Sequence, residues 1–142
     1  MIVAGDTYAF VPGMSREEAL AYWFGAATHT YVAENDGRIV GTYILRANQP
    51  GPGSHVANAA YMVAKDARGS GVGQKMAEHS LSEACRLGFR AMQFNFVVST
   101  NEGAVRLWKR LGFEIVGTLP GAFRHPRAGY VDVYVMFLSI VD

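Results

Sequence analysis

The chain has 142 residues, half of them apolar, and its 13 basic and 12 acidic side chains leave a formal charge of +1. That balance belongs to a folded domain rather than a disordered chain, and with no basic run it leaves no electrostatic case for nucleic acid. One domain over 1–142 is expected, with no bilayer-crossing stretch and no N-terminal signal pattern, and the single cysteine, Cys85, fits a reducing compartment such as the cytoplasm.

In chain order, "SREEALAYWFG" reads as a helix in which Ser15 caps the first turn, Glu18 reaches back to it and Gly25 marks the end. "HTYVAEN" and "RIVGTYILRAN" are rich in branched and aromatic residues and are joined by Asn35-Asp36-Gly37, a hairpin signal. "NQPGPGS" is a loop by composition, and "VANAAYMVA" is a third strand. Met76, Ala77, Leu81, Ala84 and Leu87 recur at helical spacing up to a stop at Gly88. "RAMQFNFVV" is a strand and "NEGAVRLWKR" a short helix ended by Gly112. "FEIVGTL" and "YVDVYVMFL" are final strands, with a Gly/Pro/Arg-rich loop between them. Leu87-Gly88-Phe89 is echoed by Leu111-Gly112-Phe113, each a helix stop leading into a strand. The order implies a mixed α/β domain with helices packed on a twisted sheet.

The segment "ARGSGVGQKM" carries glycines at 69, 71 and 73 between a strand and a helix. Such a turn presents backbone N–H groups without partners of their own, and the helix dipole favours an anion there. Arg68 adds a guanidinium suited to phosphate oxygens. The other reading is a tight turn in which glycine only supplies positive φ. The dinucleotide pattern fails because Met76 stands where a third glycine belongs, and a P-loop fails because Lys75 precedes Met76 rather than Ser or Thr.

Arg68-Gly69-Ser70-Gly71-Val72-Gly73 resembles the R/Q-x-x-G-x-G/A signature of the GCN5-related N-acetyltransferases. Asn101, Ala104, Leu107, Trp108, Gly112 and Phe113 resemble that family's second signature, and the resemblance covers roughly residues 29 to 138. It implies the acyl-CoA N-acyltransferase fold, a mixed and mostly antiparallel twisted sheet with helices on both faces. It also implies that acetyl-CoA is the acetyl donor. In that family the third strand parts from its neighbour to receive the pantetheine arm, so backbone groups of Met62, Val63 and Ala64 are expected to meet it. Backbone amides from Ser70 to Gln74 take the diphosphate with Arg68 in support, Asn101 also contacts the cofactor, and a strand N–H near Met62 or Val63 faces the oxyanion.

Trp108 stands where the family often has a tyrosine acid. Indole only donates, so Trp108 is read as packing beside the pantetheine arm, and no acid role is carried over. Asn58 and Asn95 each sit mid-strand, where asparagine is disfavoured and a buried amide needs partners. Either they point into the gap as catalytic residues that orient the acceptor, or each satisfies a bulge or loop backbone. With Asn101 they resemble the subgroup that acetylates proline analogues such as azetidine-2-carboxylate, or small amino acids, by direct attack of a neutral amine. Tyr31, Tyr43 and Tyr61 are read as core or gap walls, His29 and His55 as surface groups, His79 as structural and Cys85 as a small packed residue. Arg124 is either a fork for a substrate carboxylate or part of a solvated hairpin tip with His125 and Arg127, and Asp132 faces solvent or pairs with an arginine.

The family's usual first strand and helix have no clear counterpart: "DTYAFV" either substitutes for the edge strand or the chain lacks it, which would expose an edge and favour a homodimer. No metal site is expected. The expected function is acetyl transfer from acetyl-CoA to a small, amino-acid-like amine. The alternatives are a protein or peptide N-acetyltransferase and a module that binds acyl-CoA without turnover.

Overall fold

The computed structural model describes residues 14–141, so the candidate edge strand "DTYAFV" lies outside the described residues. Within them the elements are α1 (Arg16–Trp23), β1 (His29–Asn35), β2 (Arg38–Ala47), β3 (Val56–Val63), α2 (Val72–Arg86), β4 (Ala91–Val98), α3 (Glu102–Arg110), β5 (Glu114–His125) and β6 (Gly129–Ser139). The sheet runs β1-β2-β3-β4-β6-β5 and is mostly antiparallel, with β3 and β4 parallel. Among the described residues there are two compact units, 20–92 with 139–141 and 93–138 with 14–19.

In the first unit, β1 and β2 form a hairpin whose two turn residues, Asp36 at φ 50° and Gly37 at φ 77°, both adopt the left-handed region of a type I′ turn. The β2–β3 ladder runs from Gly41 opposite Val63 to Ala47 opposite Ala57 without a shift. Because side chains alternate along a strand, this register sorts them into two faces. Tyr31, Tyr43 and Tyr61 lie on the face that α2 covers: Tyr31 Oη donates to Glu83 at 2.8 Å, Tyr43 Oη pairs with His79 Nδ1 at 2.6 Å, and Tyr61 Oη pairs with Ser80 Oγ at 2.6 Å. Gly41 lets α2 come close, since a Cβ there would stand 2.8 Å from the Met76 methyl carbon. Thr42 points to the opposite face, where the Trp23 indole N–H donates to its Oγ1 at 3.1 Å and so holds the end of α1 against the sheet. Helices therefore cover both faces of β1 and β2. Ile44, Leu45, Ala57, Ala77, Ala84 and Met92 are fully buried between these layers. Burial of each larger side chain is worth about 1.5–3 kcal/mol.

In the second unit, α3 lies on β4 through Trp108, whose ring centroid is 4.4 Å from Phe94 and 5.7 Å from Phe113. Val98, Phe123 and Val133 form a further buried cluster. β5 is longer than its composition suggests and continues through Pro120 to His125, so the expected loop shrinks to residues 126–128. Three features reconcile that segment with a strand. β5 is the last strand of the sheet, where a residue without an N–H is tolerated. The register shifts between Leu119 and Phe123, and the Asp132 carboxylate accepts from the Gly121 N–H at 3.0 Å inside that irregularity. Asp132 is thus held by backbone, not by an arginine.

The echoed Leu-Gly-Phe triplets are two copies of one helix ending. Phe89 N–H donates to Ala84 O and Gly88 N–H to Cys85 O; Phe113 N–H donates to Trp108 O and Gly112 N–H to Lys109 O. Both are Schellman motifs. At the start of α1, Ser15 and Glu18 form the reciprocal capping box, with bonds of 3.0 and 3.1 Å.

Candidate functional site

After β3 the chain makes one short helical turn over Lys65–Ala67 and then enters α2 through Gly69 at φ 79° and Gly71 at φ 87°. A Cβ at either glycine would meet no atom within 4 Å. The space before the turn is therefore open, and the left-handed backbone rather than crowding is what calls for glycine. Gly71 is the N-cap of α2 and no side chain caps the helix; the first bond back to it comes from Lys75 N at 3.1 Å. Among the described residues the amides of Val72 and Gly73 meet no backbone or side-chain acceptor. Ser70 differs from the expectation: its N–H and its hydroxyl both go to Ala67 O, so the outward donors begin after it.

Charge at the turn favours an anion. Its only carboxylate, Asp66, pairs with Arg38 at 2.5 Å, and the hydrogen bond from Arg38 holds the acid below its usual range. Arg68 is exposed and within salt-bridge distance of no carboxylate among the described residues, and Lys65 and Lys75 are exposed beside it. Open donors, a helix N-terminus and unneutralised cations together suit a diphosphate.

The strand feeding this turn has a definite polarity. Ala64 N–H donates to Val40 O and Asn48 N–H donates to Val56 O, so even-numbered residues of β3 turn their backbone groups toward β2. Arg90 N–H, in turn, donates to His55 O on the other edge. Of Met62, Val63 and Ala64, the strand alternation therefore directs only Val63 away from β2, while Met62 and Ala64 engage the ladder. The expectation that Met62 and Ala64 offer backbone groups to a ligand is corrected accordingly, and Tyr61 joins Val63 in pointing outward.

Asn58 is half-buried on β3, and the unshifted register there removes the bulge reading for it. It lies directly across from Arg46, on the face away from α2. Arg46 is half-buried and reaches Tyr22, donating to its Oη at 3.2 Å with the guanidinium 4.7 Å from the ring centroid. The sequence reading passed over Arg46 and Tyr22. The available signal was a single charge near the end of the apolar run "IVGTYILR".

In the other unit, Asn95 is exposed on β4, and its side-chain oxygen accepts from Gln93 Nε2 at 2.9 Å. Asn101 is the N-cap of α3, accepting from Ala104 N–H at 3.4 Å. Trp108 is buried, with the rings of Phe94 and Phe113 tilted and edge-on against it. Arg124 and Arg127 are exposed at the β5–β6 tip, which His125 closes by accepting from the N–H groups of Arg127 and Ala128.

The tyrosines read as walls are a hydrogen-bonded seam beneath α2. Burial pushes the Tyr43 hydroxyl well above the usual phenol range, so it stays protonated against His79. Desolvation and then the Glu83 carboxylate raise Tyr31 in the same direction. Neither Tyr43 nor Tyr31 is tuned to act as a base. His29 and His55 are exposed, and Cys85 is exposed rather than packed, because it falls on the outer side of α2 while Ala84 takes the inner one.

Residues 5–113 match the acetyltransferase (GNAT) family. The N-acetyltransferase aca1 of Schizosaccharomyces pombe is 32% identical over 151 aligned positions, which cover 94% of this chain and 72% of the relative. A GCN5-related N-acetyltransferase from Kribbella flavida superposes with a TM-score of 0.93 at 46% identity, over 97% of this chain and 84% of its own. The fold is also that of yncA from Salmonella typhimurium, solved with its cofactor acetyl-CoA, at a TM-score of 0.78 and 22% identity over 91% of this chain and 76% of its own.

Proposed function

The chain belongs to the acetyltransferase (GNAT) family, and from that premise we propose that residues 1–142 form one domain acetylating the amine of a small, amino-acid-like acceptor, with proline analogues among the candidates. It is an acetyl-CoA-dependent N-acetyltransferase. The observation that carries the reading is the start of α2, where a left-handed glycine and an absent side-chain cap leave the first amides open beside Arg68.

The residues fit the donor. Amides of Val72, Gly73 and Gln74 with the Arg68 side chain hold the diphosphate, and Gly69, Ser70 and Gly71 keep its approach clear. Val63 offers its N–H and C=O to the pantetheine arm, and its N–H is the candidate donor to the acetyl oxygen. Met62 and Ala64 shape that strand, and Asn101 and Trp108 add cofactor contacts. Bound acetyl-CoA supplies an acetyl group on a thiol leaving group, whose pKa near 8.5 lets it depart without a dedicated acid. Asn58 and Asn95 orient the acceptor so that its neutral amine attacks directly. The N–C bond forms as the C–S bond breaks, and the amine proton passes to water. Orientation supplies much of the rate.

The test is direct. Calorimetry should show CoA binding to the folded protein, and a thiol reagent should report release of free thiol from acetyl-CoA mixed with free amino acids. Asn58→Ala and Asn95→Ala are expected to lower turnover about 10- to 100-fold, the loss of one or two polar contacts, with acetyl-CoA affinity unchanged. Full activity in both variants would remove their assignment and leave the donor site standing.

A further inference from the structure

Among the described residues Arg46 is the only arginine that is not exposed, and it has no carboxylate within 4.0 Å. Arg38, Arg86 and Arg106 all have acidic partners at the surface, where a pair adds little. Arg46 has instead a tyrosine. The Tyr22 ring fixes the guanidinium plane at 4.7 Å, and the Tyr22 hydroxyl takes one N–H at 3.2 Å. A guanidinium has five such donors in a rigid fork, so most of them remain for another acceptor. Partial desolvation of a cation that has no counter-charge is costly, and a negative group arriving at Arg46 would offset that cost. The fork matches a planar carboxylate in two parallel bonds.

The surroundings add the second part of a recognition site. Asn58 is the cross-strand partner of Arg46, and opposed side chains on one face stand with Cβ atoms about 4.5–5.5 Å apart. A carboxylate on Arg46 therefore places the rest of a small molecule beside the Asn58 amide, on the strand that leads to the diphosphate turn. We infer that Arg46, oriented by Tyr22 and facing Asn58, binds the α-carboxylate of the acceptor, which makes the substrate a free amino or imino acid. This rests on the acetyl-transfer reading and deepens it: it excludes a peptide N-terminus, whose α-carboxyl is an amide. It also moves the carboxylate fork away from Arg124, which stands exposed near the β5–β6 tip.

The experiment compares free L-amino acids with their α-amides as acceptors, for the wild type, Arg46→Gln and Arg46→Lys, reading thiol release for activity and calorimetry for CoA binding. The wild type is expected to use one or more free acids and to lose on the order of 100-fold in kcat/KM on the matching amide. Arg46→Gln should raise KM for the acid by a similar factor while binding CoA as the wild type does. Arg46→Lys, which keeps the charge and loses the fork, should fall between. Equal use of acid and amide by the wild type would overturn the inference whether or not any variant folds. So would an unchanged KM in Arg46→Gln, or turnover of peptides alone. Failure of the wild type to bind CoA is a separate result and removes the acetyl-transfer reading with it.

Discussion

The two strand–turn–helix segments, β3 into α2 and β4 into α3, end alike and begin differently. Both helices stop on Leu-Gly-Phe with the same pair of backbone bonds. At their starts, α3 spends the Asn101 side chain on the Ala104 amide, whereas α2 begins at Gly71 with no side-chain cap. A capped helix start satisfies itself and contributes stability; an uncapped one forgoes that contribution and leaves donors for a ligand. The contrast lies in one residue type, asparagine against a left-handed glycine, and it separates a helix start capped by its own side chain from one that is not.

Substitutions at these positions test the comparison. The largest effect is expected from Gly71→Val: a branched side chain is strained at φ 87° and stands in front of the open amides, so CoA affinity by calorimetry should fall at least about 100-fold. The result that breaks the contrast is wild-type affinity in a folded Gly71→Val protein. A smaller effect is expected from Asn101→Ala, which removes a cap and should lower unfolding stability by about 1 kcal/mol in a urea titration. No measurable loss there would mean that the cap contributes nothing and that the two starts differ less than their geometry suggests.

The smallest effect concerns the body of α2, which the tyrosine seam anchors. Hydrogen bonds from Arg86, and then from Tyr31, draw the Glu83 acid down from 4.5 to about 2. A folded value below the unfolded one means that this contribution is fully present above pH 4.5 and is lost as pH falls toward about 2. The urea midpoint should therefore decline across that window in the wild type, and by less in Glu83→Gln. Equal declines would show that the seam does not draw on the Glu83 charge.

Much of this was legible along the chain because the signals are local. Asp36-Gly37, the Ser15–Glu18 box, the two Leu-Gly-Phe stops and the glycine turn depend on neighbours within a few residues. The segment "PGAFRHPRAG" misled because its composition is that of a loop. It becomes strand by pairing with β6 at the sheet's edge, where the Asp132 carboxylate takes an N–H that the shifted register leaves over. Cys85 misled for a similar reason: a helix turns about 100° per residue, and the side turned to the sheet was fixed by Met76, Ala77, Ser80 and Ala84.

Residue order alone therefore sufficed for the helices, for the strands apart from the second half of β5, for the glycine turn and for the family resemblance, since each rests on periodicity, on short motifs or on backbone conformations that particular side chains permit. Which β3 residues turn their amides outward, and which arginine is half-buried without an acidic partner, depended on contacts between segments distant along the chain. Val63 rather than Met62 points away from β2 because Ala64 bonds to Val40. Arg46 meets Tyr22 and stands across from Asn58 because a helix and two strands bring them to one face. A hydrogen-bond ladder has two edges and a pleated strand two faces, and only the register of the partner says which is which.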